Sequence, residues 1–293
     1  MKFPFHFKII IIIGIIAINN IATASSAPLK INAGIIPVGS LVSMLNSGTK
    51  NEVNVILSNP NMSPHESIIN VKEMQAIKDS DVLILVSKNF EHEIAANINT
   101  TKTKVIYLDE LISNVSPNDP HFWLDINIAK EILQVLAVEL GKIDPNNAKA
   151  YRHNATKFSD KIAELGKDMQ KNLASVQNNF MVYHDGWSYF IKANHLNAYY
   201  KGSITKESAD HHDMDTILSA QDIIKLTAFV KKNNVVCIFI EPQFTDTTLL
   251  DFIAKNNLKT AVLNPIGEMK PSLVESYFLM MRNNAKQLKS CAS

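Results

Sequence analysis

The chain has 293 residues, 46% of them hydrophobic and 19% charged, a balance that excludes a disordered polymer and leaves room for two domains. Lys plus Arg total 29 against 28 for Asp plus Glu, so there is no charge excess to hold nucleic acid or an anionic membrane surface. Two cysteines are too few for a cysteine-based zinc ribbon, a four-cysteine iron–sulfur cluster or a dense disulfide scaffold.

Residues 1–24 have the layout of a secretory signal peptide. Lys2 and Lys8 give a basic start, Ile9 to Ile18 is an apolar run broken only by Gly14, and Ala22-Thr23-Ala24 supplies small residues for cleavage. A spanning helix needs about 20 apolar residues, so release into the periplasm is the expectation rather than anchoring. No Cys stands near the cleavage site to take a lipid. Without Lys2 and Lys8 the chain keeps 27 basic and 28 acidic residues and stays neutral.

From Leu29 onward short β-branched runs alternate with helical spacing. Strands are expected at Lys30–Ile35, Val53–Leu57, Val82–Val86 and Lys104–Leu108, with helices at Gly39–Asn46, Ile68–Lys78 and Glu91–Asn97. Continuous apolar strands separated by helices make a parallel sheet covered on both faces. A helical pattern over Ile128–Leu140 closes this first lobe, residues 28–143. Asp144-Pro145 then reads as N-cap and first helical residue, opening a helix to about Val176. It has no sustained heptad, so residues 144–177 are expected to be a strut between lobes rather than a coiled-coil arm. The alternation resumes over residues 178–293. Strands are expected at Phe180–Tyr183, Ala198–Tyr200, Val235–Ile240 and Lys259–Leu263, and helices at Gly186–Asn194, Ala220–Lys232, Thr247–Asn256 and Ser272–Leu288. The fold class is α/β: two doubly wound parallel-sheet lobes joined by a long helix.

Eight His remain after signal cleavage, and position separates them. His65 follows the second strand, His121 lies beyond the fourth, and His184 follows Phe180–Tyr183 directly. All three stand past the carboxyl ends of parallel strands, where open α/β sheets bind ligands. Two belong to the first lobe and one to the second, so they can meet only in a cleft between lobes. Three neutral imidazoles suit Zn²⁺ and leave one tetrahedral position open. Asp119, Asp125 and Asp185 are near enough in sequence to orient imidazole N–H groups. His92, His153 and His195 sit in helical patterns or at a helix end and read as surface or packing residues. His211-His212 reads as a solvated loop, with a weak exposed metal-capture site as the alternative. Glu241 and Asn264 end the third and fourth strands of the second lobe and face the same cleft. Glu241 is open to three roles: ligand, acceptor for an imidazole, or neighbour of a helix start. Asn264 offers only a neutral carbonyl oxygen.

An even cysteine count in an oxidising compartment favours a bridge between Cys237, in the apolar run Val235–Ile240, and Cys291 near the end of the last helix. Its work would be structural.

Five motifs in this order carry a family resemblance: Pro64-His65, Asp119-Pro120-His121-Phe122-Trp123-Leu124, Tyr183-His184-Asp185-Gly186-Trp187-Ser188-Tyr189-Phe190, Glu241-Pro242-Gln243-Phe244 and Asn264-Pro265-Ile266-Gly267. Over essentially the whole mature chain it resembles the ZnuA-type substrate-binding proteins of zinc-uptake ABC importers. The resemblance implies two α/β lobes joined by a rigid helix, His65, His121 and His184 as ligands of a transported Zn²⁺ in the interlobe cleft, and delivery to an ABC permease coupled to an ATPase subunit. It implies no catalysis. The sequence departs from the family where Asp-Pro-Leu-Gly is usual and Asn264-Pro265-Ile266-Gly267 stands, so the usual fourth carboxylate is missing. His65 is followed by Glu66-Ser67-Ile68-Ile69 instead of Pro-Ser-Asp, and no long His-rich loop precedes His121. The protein is expected to act as a monomer. A metallohydrolase is the alternative, with the same three His, a bound water and Asp185 or Glu241 as base; no His-Glu-x-x-His motif supports it.

Overall fold

The computed structural model describes residues 27–98, 102–200, 218–243 and 247–293. Residues 1–24, expected to be a signal peptide, and His211-His212 lie outside the described residues. The first lobe runs β1 (Lys30–Ile35), α1 (Ile36–Leu45), β2 (Glu52–Leu57), α2 (Val71–Asp79), β3 (Val82–Leu85), α3 (His92–Ala96) and β4 (Lys104–Tyr107). Helices α4 (Ile126–Ile143) and α5 (Ala148–Leu173) follow. The second lobe contains β5 (Phe180–Val182), α6 (Ser188–Ala193), β6 (Ala198–Tyr200), α7 (Ala220–Lys232), β7 (Cys237–Ile240), α8 (Thr247–Lys255), β8 (Lys259–Val262) and α9 (Leu273–Ala292).

Each sheet has four parallel strands, in the order β2-β1-β3-β4 and β6-β5-β7-β8. The two lobes therefore share one topology despite having no visible sequence repeat. β3 is buried along its whole length, as its continuous Val-Leu-Ile-Leu run requires of a strand covered on both faces. In the second sheet alternation divides the faces. Phe180, Val182, Cys237 and Phe239 join a core shared with the first lobe, while Met181 and Ile238 join a separate cluster with Leu226, Val230, Phe252 and Ile253.

The strut departs in detail from a single helix opened by Asp144. Asp144 ends α4, its backbone N–H bonding to the Leu140 carbonyl, and a tight turn over Pro145–Asn147 precedes α5. The Asp144 carboxylate accepts from Asn51 Nδ2, Asn147 Nδ2 and Tyr151 Oη at 2.7–2.9 Å. It thus ties the turn to the first lobe instead of capping α5. At 26 residues α5 is about 39 Å long, buried along Tyr151, Phe158, Ile162, Leu165 and Met169.

The last helix is shared between the lobes. Helix α9 packs against α1, α5 and β8, and its start is tied to α1 through Ser40, which donates to the Val274 carbonyl (3.3 Å) and accepts from the Tyr277 backbone N–H (3.1 Å). A Cys237–Cys291 disulfide, with Cα atoms 5.9 Å apart, fastens its other end to β7. Among the described residues no helix is long and apolar enough to cross a membrane.

Candidate metal centre

Local structure fixes each histidine. Pro64 opens a single turn, Pro64–Glu66, that carries His65 after β2. His121 precedes the turn Phe122–Leu124, whose Trp123 is wholly buried and donates from Nε1 to the Pro265 carbonyl (2.8 Å). Tyr277 Oη donates back to the Trp123 carbonyl (2.8 Å), so this turn is stitched to the second lobe from two sides. His184 leaves β5 in extended conformation and the turn Asp185–Trp187 follows it.

These three elements bring His65, His121 and His184 together, with one ring nitrogen from each lying within 4.8 Å of the others. His65 Nε2 and His121 Nε2 are 3.2 Å apart. Two nitrogens on one tetrahedral zinc, each about 2.0–2.1 Å from it, are separated by about 3.3 Å. The spacing is that of two ligands of a single ion.

Carboxylates set the tautomers. His121 Nδ1 lies 2.9 Å from Asp119 Oδ1, and His184 Nδ1 lies 2.9 Å from both oxygens of Glu241. A neutral ring that donates from Nδ1 to a carboxylate turns the lone pair of Nε2 toward the common centre. Both carboxylates are themselves held. Asp119 accepts from Ser188 Oγ and from the His121 backbone N–H (3.0 Å); Glu241 accepts from Trp187 Nε1 (2.5 Å). Gly186 is the point of closest approach: a Cβ there would lie 2.6 Å from His184 Cε1 and 2.9 Å from His121 Cε1.

The two buried rings titrate in opposite directions. Burial draws the His121 pKa down, and the hydrogen bond to Asp119 recovers only part, leaving it below the ordinary value. Burial also opposes a charge on His184, but the Glu241 charge and hydrogen bond, aided by Asp185, outweigh it and raise its pKa. Burial pushes the Asp119 carboxyl up, but the His121 bond and charge and the Ser188 hydroxyl hold it below the usual range.

The remaining sequence candidates fall elsewhere. Asp125 caps α4, accepting from the Asn127 backbone N–H at 2.7 Å. Asn264 Oδ1 accepts from the backbone N–H groups of Ile266 (3.1 Å) and Gly267 (3.0 Å) and from Gln243 Nε2 (3.2 Å), building the turn after β8. Sequence reasoning missed Phe90, whose ring meets His65 edge-on at 4.5 Å and His121 at 5.8 Å; it also missed Ser188 and the pairing of Tyr189 Oη with the Ser116 N–H (2.7 Å). The cavity at the triad encloses about 230 Å³, part of it open to solvent, between Phe90, Trp123, Glu241 and Pro265. Most of that space is the open mouth, and what lies within it suits an ion with its inner ligands.

The family model described as "ZnuA: Zinc-uptake complex component A periplasmic" matches residues 31–291. The chain belongs to the ZnuA family. It is 30% identical over 176 residues to the "High-affinity zinc uptake system protein ZnuA" of Brucella suis biovar 1, a match covering 60% of this chain and 50% of that protein. The chain thus spans about half the length of the curated relatives it matches. Among solved structures it superposes on "Crystal structure of ZnuA" with a TM-score of 0.75 and 21% identity, covering 91% of this chain and all of that one. A Zn(II)-bound mutant variant of AdcAII from Streptococcus pneumoniae gives a TM-score of 0.74 at 24% identity, covering 91% and 99%. These ZnuA-like likenesses extend to the two-lobe architecture and the strut.

Proposed function

We propose that the protein is a non-catalytic periplasmic carrier that captures Zn²⁺ and delivers it to an ABC permease, which an ATPase subunit drives. His65, His121 and His184 hold the ion. Asp119 and Glu241 orient two of the rings, and Asp185 adds negative charge beside His184. The observation that carries this reading is the convergence of three ring nitrogens in one cavity, with Nδ1 of His121 and of His184 each paired to a carboxylate. Membership of the ZnuA family supports the zinc assignment and the membrane partners. Against a metallohydrolase, both Glu241 oxygens are engaged by His184, one also by Trp187, and the cavity has little room for a substrate beyond the ion.

Three imidazoles without a carboxylate favour zinc over manganese, which prefers oxygen ligands. Chelator competition on the metal-free mature protein should show much tighter Zn²⁺ than Mn²⁺ binding, and His121→Ala should abolish the difference. Comparable affinities in the wild type would overturn the assignment.

A further inference from the structure

Three imidazoles leave one tetrahedral zinc position to fill, and the two side chains that the sequence offers for it, Glu241 and Asn264, are already engaged. Glu241 serves His184 and Trp187, and Asn264 Oδ1 serves three N–H donors. Two other oxygens are not engaged. Ser63 Oγ and Gln243 Oε1 are buried without a hydrogen-bond partner, and both residues line the cavity that holds the three rings. Buried polar atoms are nearly always satisfied, so two orphans bordering one cavity call for a common partner. Ser63 is 9% exposed. The orientation of Gln243 is fixed, because Nε2 donates to the Pro60 carbonyl (2.6 Å) and to Asn264 Oδ1 (3.2 Å). A flipped amide would set its oxygen against two acceptors.

We infer that the fourth zinc position is a water molecule that donates one hydrogen bond to Gln243 Oε1 and the other to Ser63 Oγ. This rests on the His65, His121 and His184 reading above. Both orphans accept, a zinc-bound water has two protons to give, and its lone pair faces the metal. An amide oxygen and a hydroxyl hold that water to the chain only by neutral hydrogen bonds, so, unlike a protein carboxylate, it can be displaced by another zinc ligand without moving the chain. An imidazole or carboxylate of an acceptor protein can then enter at the fourth position before any bond between zinc and this chain breaks. The Gln243–Pro60 bond also joins the second lobe to the loop that carries His65, so one side chain links the fourth position to the first-lobe ligand.

The test pairs a zinc-loaded crystal structure with chelator competition on Ser63→Ala, Gln243→Leu and His121→Ala. The inference expects a non-protein oxygen about 2.0–2.2 Å from zinc, within hydrogen-bond reach of Ser63 Oγ and Gln243 Oε1. It expects Ser63→Ala to weaken zinc binding about three- to tenfold, the worth of one hydrogen bond. The metal-free Ser63→Ala protein should melt no lower than the wild type, since its hydroxyl serves no protein group, a combination that a merely structural serine would not give. Gln243→Leu should weaken zinc at least as much. A protein oxygen in the fourth position, or unchanged affinity in Ser63→Ala and Gln243→Leu while His121→Ala loses zinc, would overturn the inference and spare the triad. Full zinc binding by His121→Ala would instead overturn the triad.

Discussion

Gly186→Ala adds one methyl group at the narrowest point of the site. The new Cβ would stand 2.6 Å from His184 Cε1 and 2.9 Å from both Cε1 and Nε2 of His121, where carbon atoms ordinarily rest about 3.5–4.0 Å apart. Roughly 1 Å of retreat is needed, and neither ring is free to give it. His184 is held at Nδ1 by Glu241 and His121 at Nδ1 by Asp119. Metal–ligand distances tolerate only about 0.2 Å, so at least one imidazole should leave the ion. We expect zinc affinity to fall about 100-fold or more, equivalent to about 3 kcal/mol. The overpacked metal-free protein should lose about 1–3 kcal/mol of stability. Chelator competition measures the first and thermal melting with and without zinc the second. Zinc affinity within threefold of wild type would refute the claim that Gly186 sets the separation of the two rings.

Three further outcomes are expected. Protons compete with zinc, and His184 has a raised pKa in the metal-free protein while His121 has a lowered one. Zinc affinity should therefore begin to fall while pH is still above about 6.5, with one proton displaced, and steepen only at lower pH as His121 protonates; calorimetric titration in buffers of different ionisation heat counts the protons, and a flat profile from pH 5 to 8 would refute it. Glu91 is wholly buried and accepts from the Val86 and Ser87 backbone N–H groups, and burial raises its pKa to about 8. The folded state therefore keeps a proton that the unfolded state has released, so its stabilising contribution is fully present below pH 4.5 and is lost as pH rises from there through 8. Between pH 7 and 9 the wild type should lose about 1 kcal/mol from this group and Glu91→Gln should not, as urea melts will show. Removing the disulfide as Cys237→Ala with Cys291→Ala opens a link of sequence separation 54 and should cost up to about 4 kcal/mol, read as a lower urea midpoint that reductant no longer shifts.

The fold was legible where the pattern had one meaning. Val82–Leu85 and Cys237–Ile240 are apolar runs too short for helices, and both are central strands. The histidines were legible by place, each past the end of a parallel strand. Their carboxylate partners were less so. Asp119 and Asp125 flank His121 on either side, and only the helix beginning at Ile126 shows that Asp125 is occupied as its cap. Glu241 stayed open among three roles because its contact with His184 depends on β5 and β7 lying side by side, a pairing that spans 57 residues and leaves no local mark. Phe90 and Ser63 carry no pattern of their own, and Gln243 stands in a motif that does not itself mark an amide for a metal site; the way loops from different strands meet brings all three there. Asp144 marks a break between two helices, as its motif suggests, but it does not cap the second one, because Asn51 and Tyr151 claim its carboxylate.

Helix α9 also bears on the order in which the molecule can be assembled. Nine of the ten residues of α1 are buried, and part of their cover is α9, which begins at Leu273. A chain delivered from its N-terminus makes α1 early and its cover last. Until then the first lobe presents an uncovered apolar flank, however complete its own four strands are. The halves on either side of the strut should therefore mature as one cooperative unit rather than as successive foldons, and a fragment cut within α5 should collect as aggregate rather than as a folded lobe.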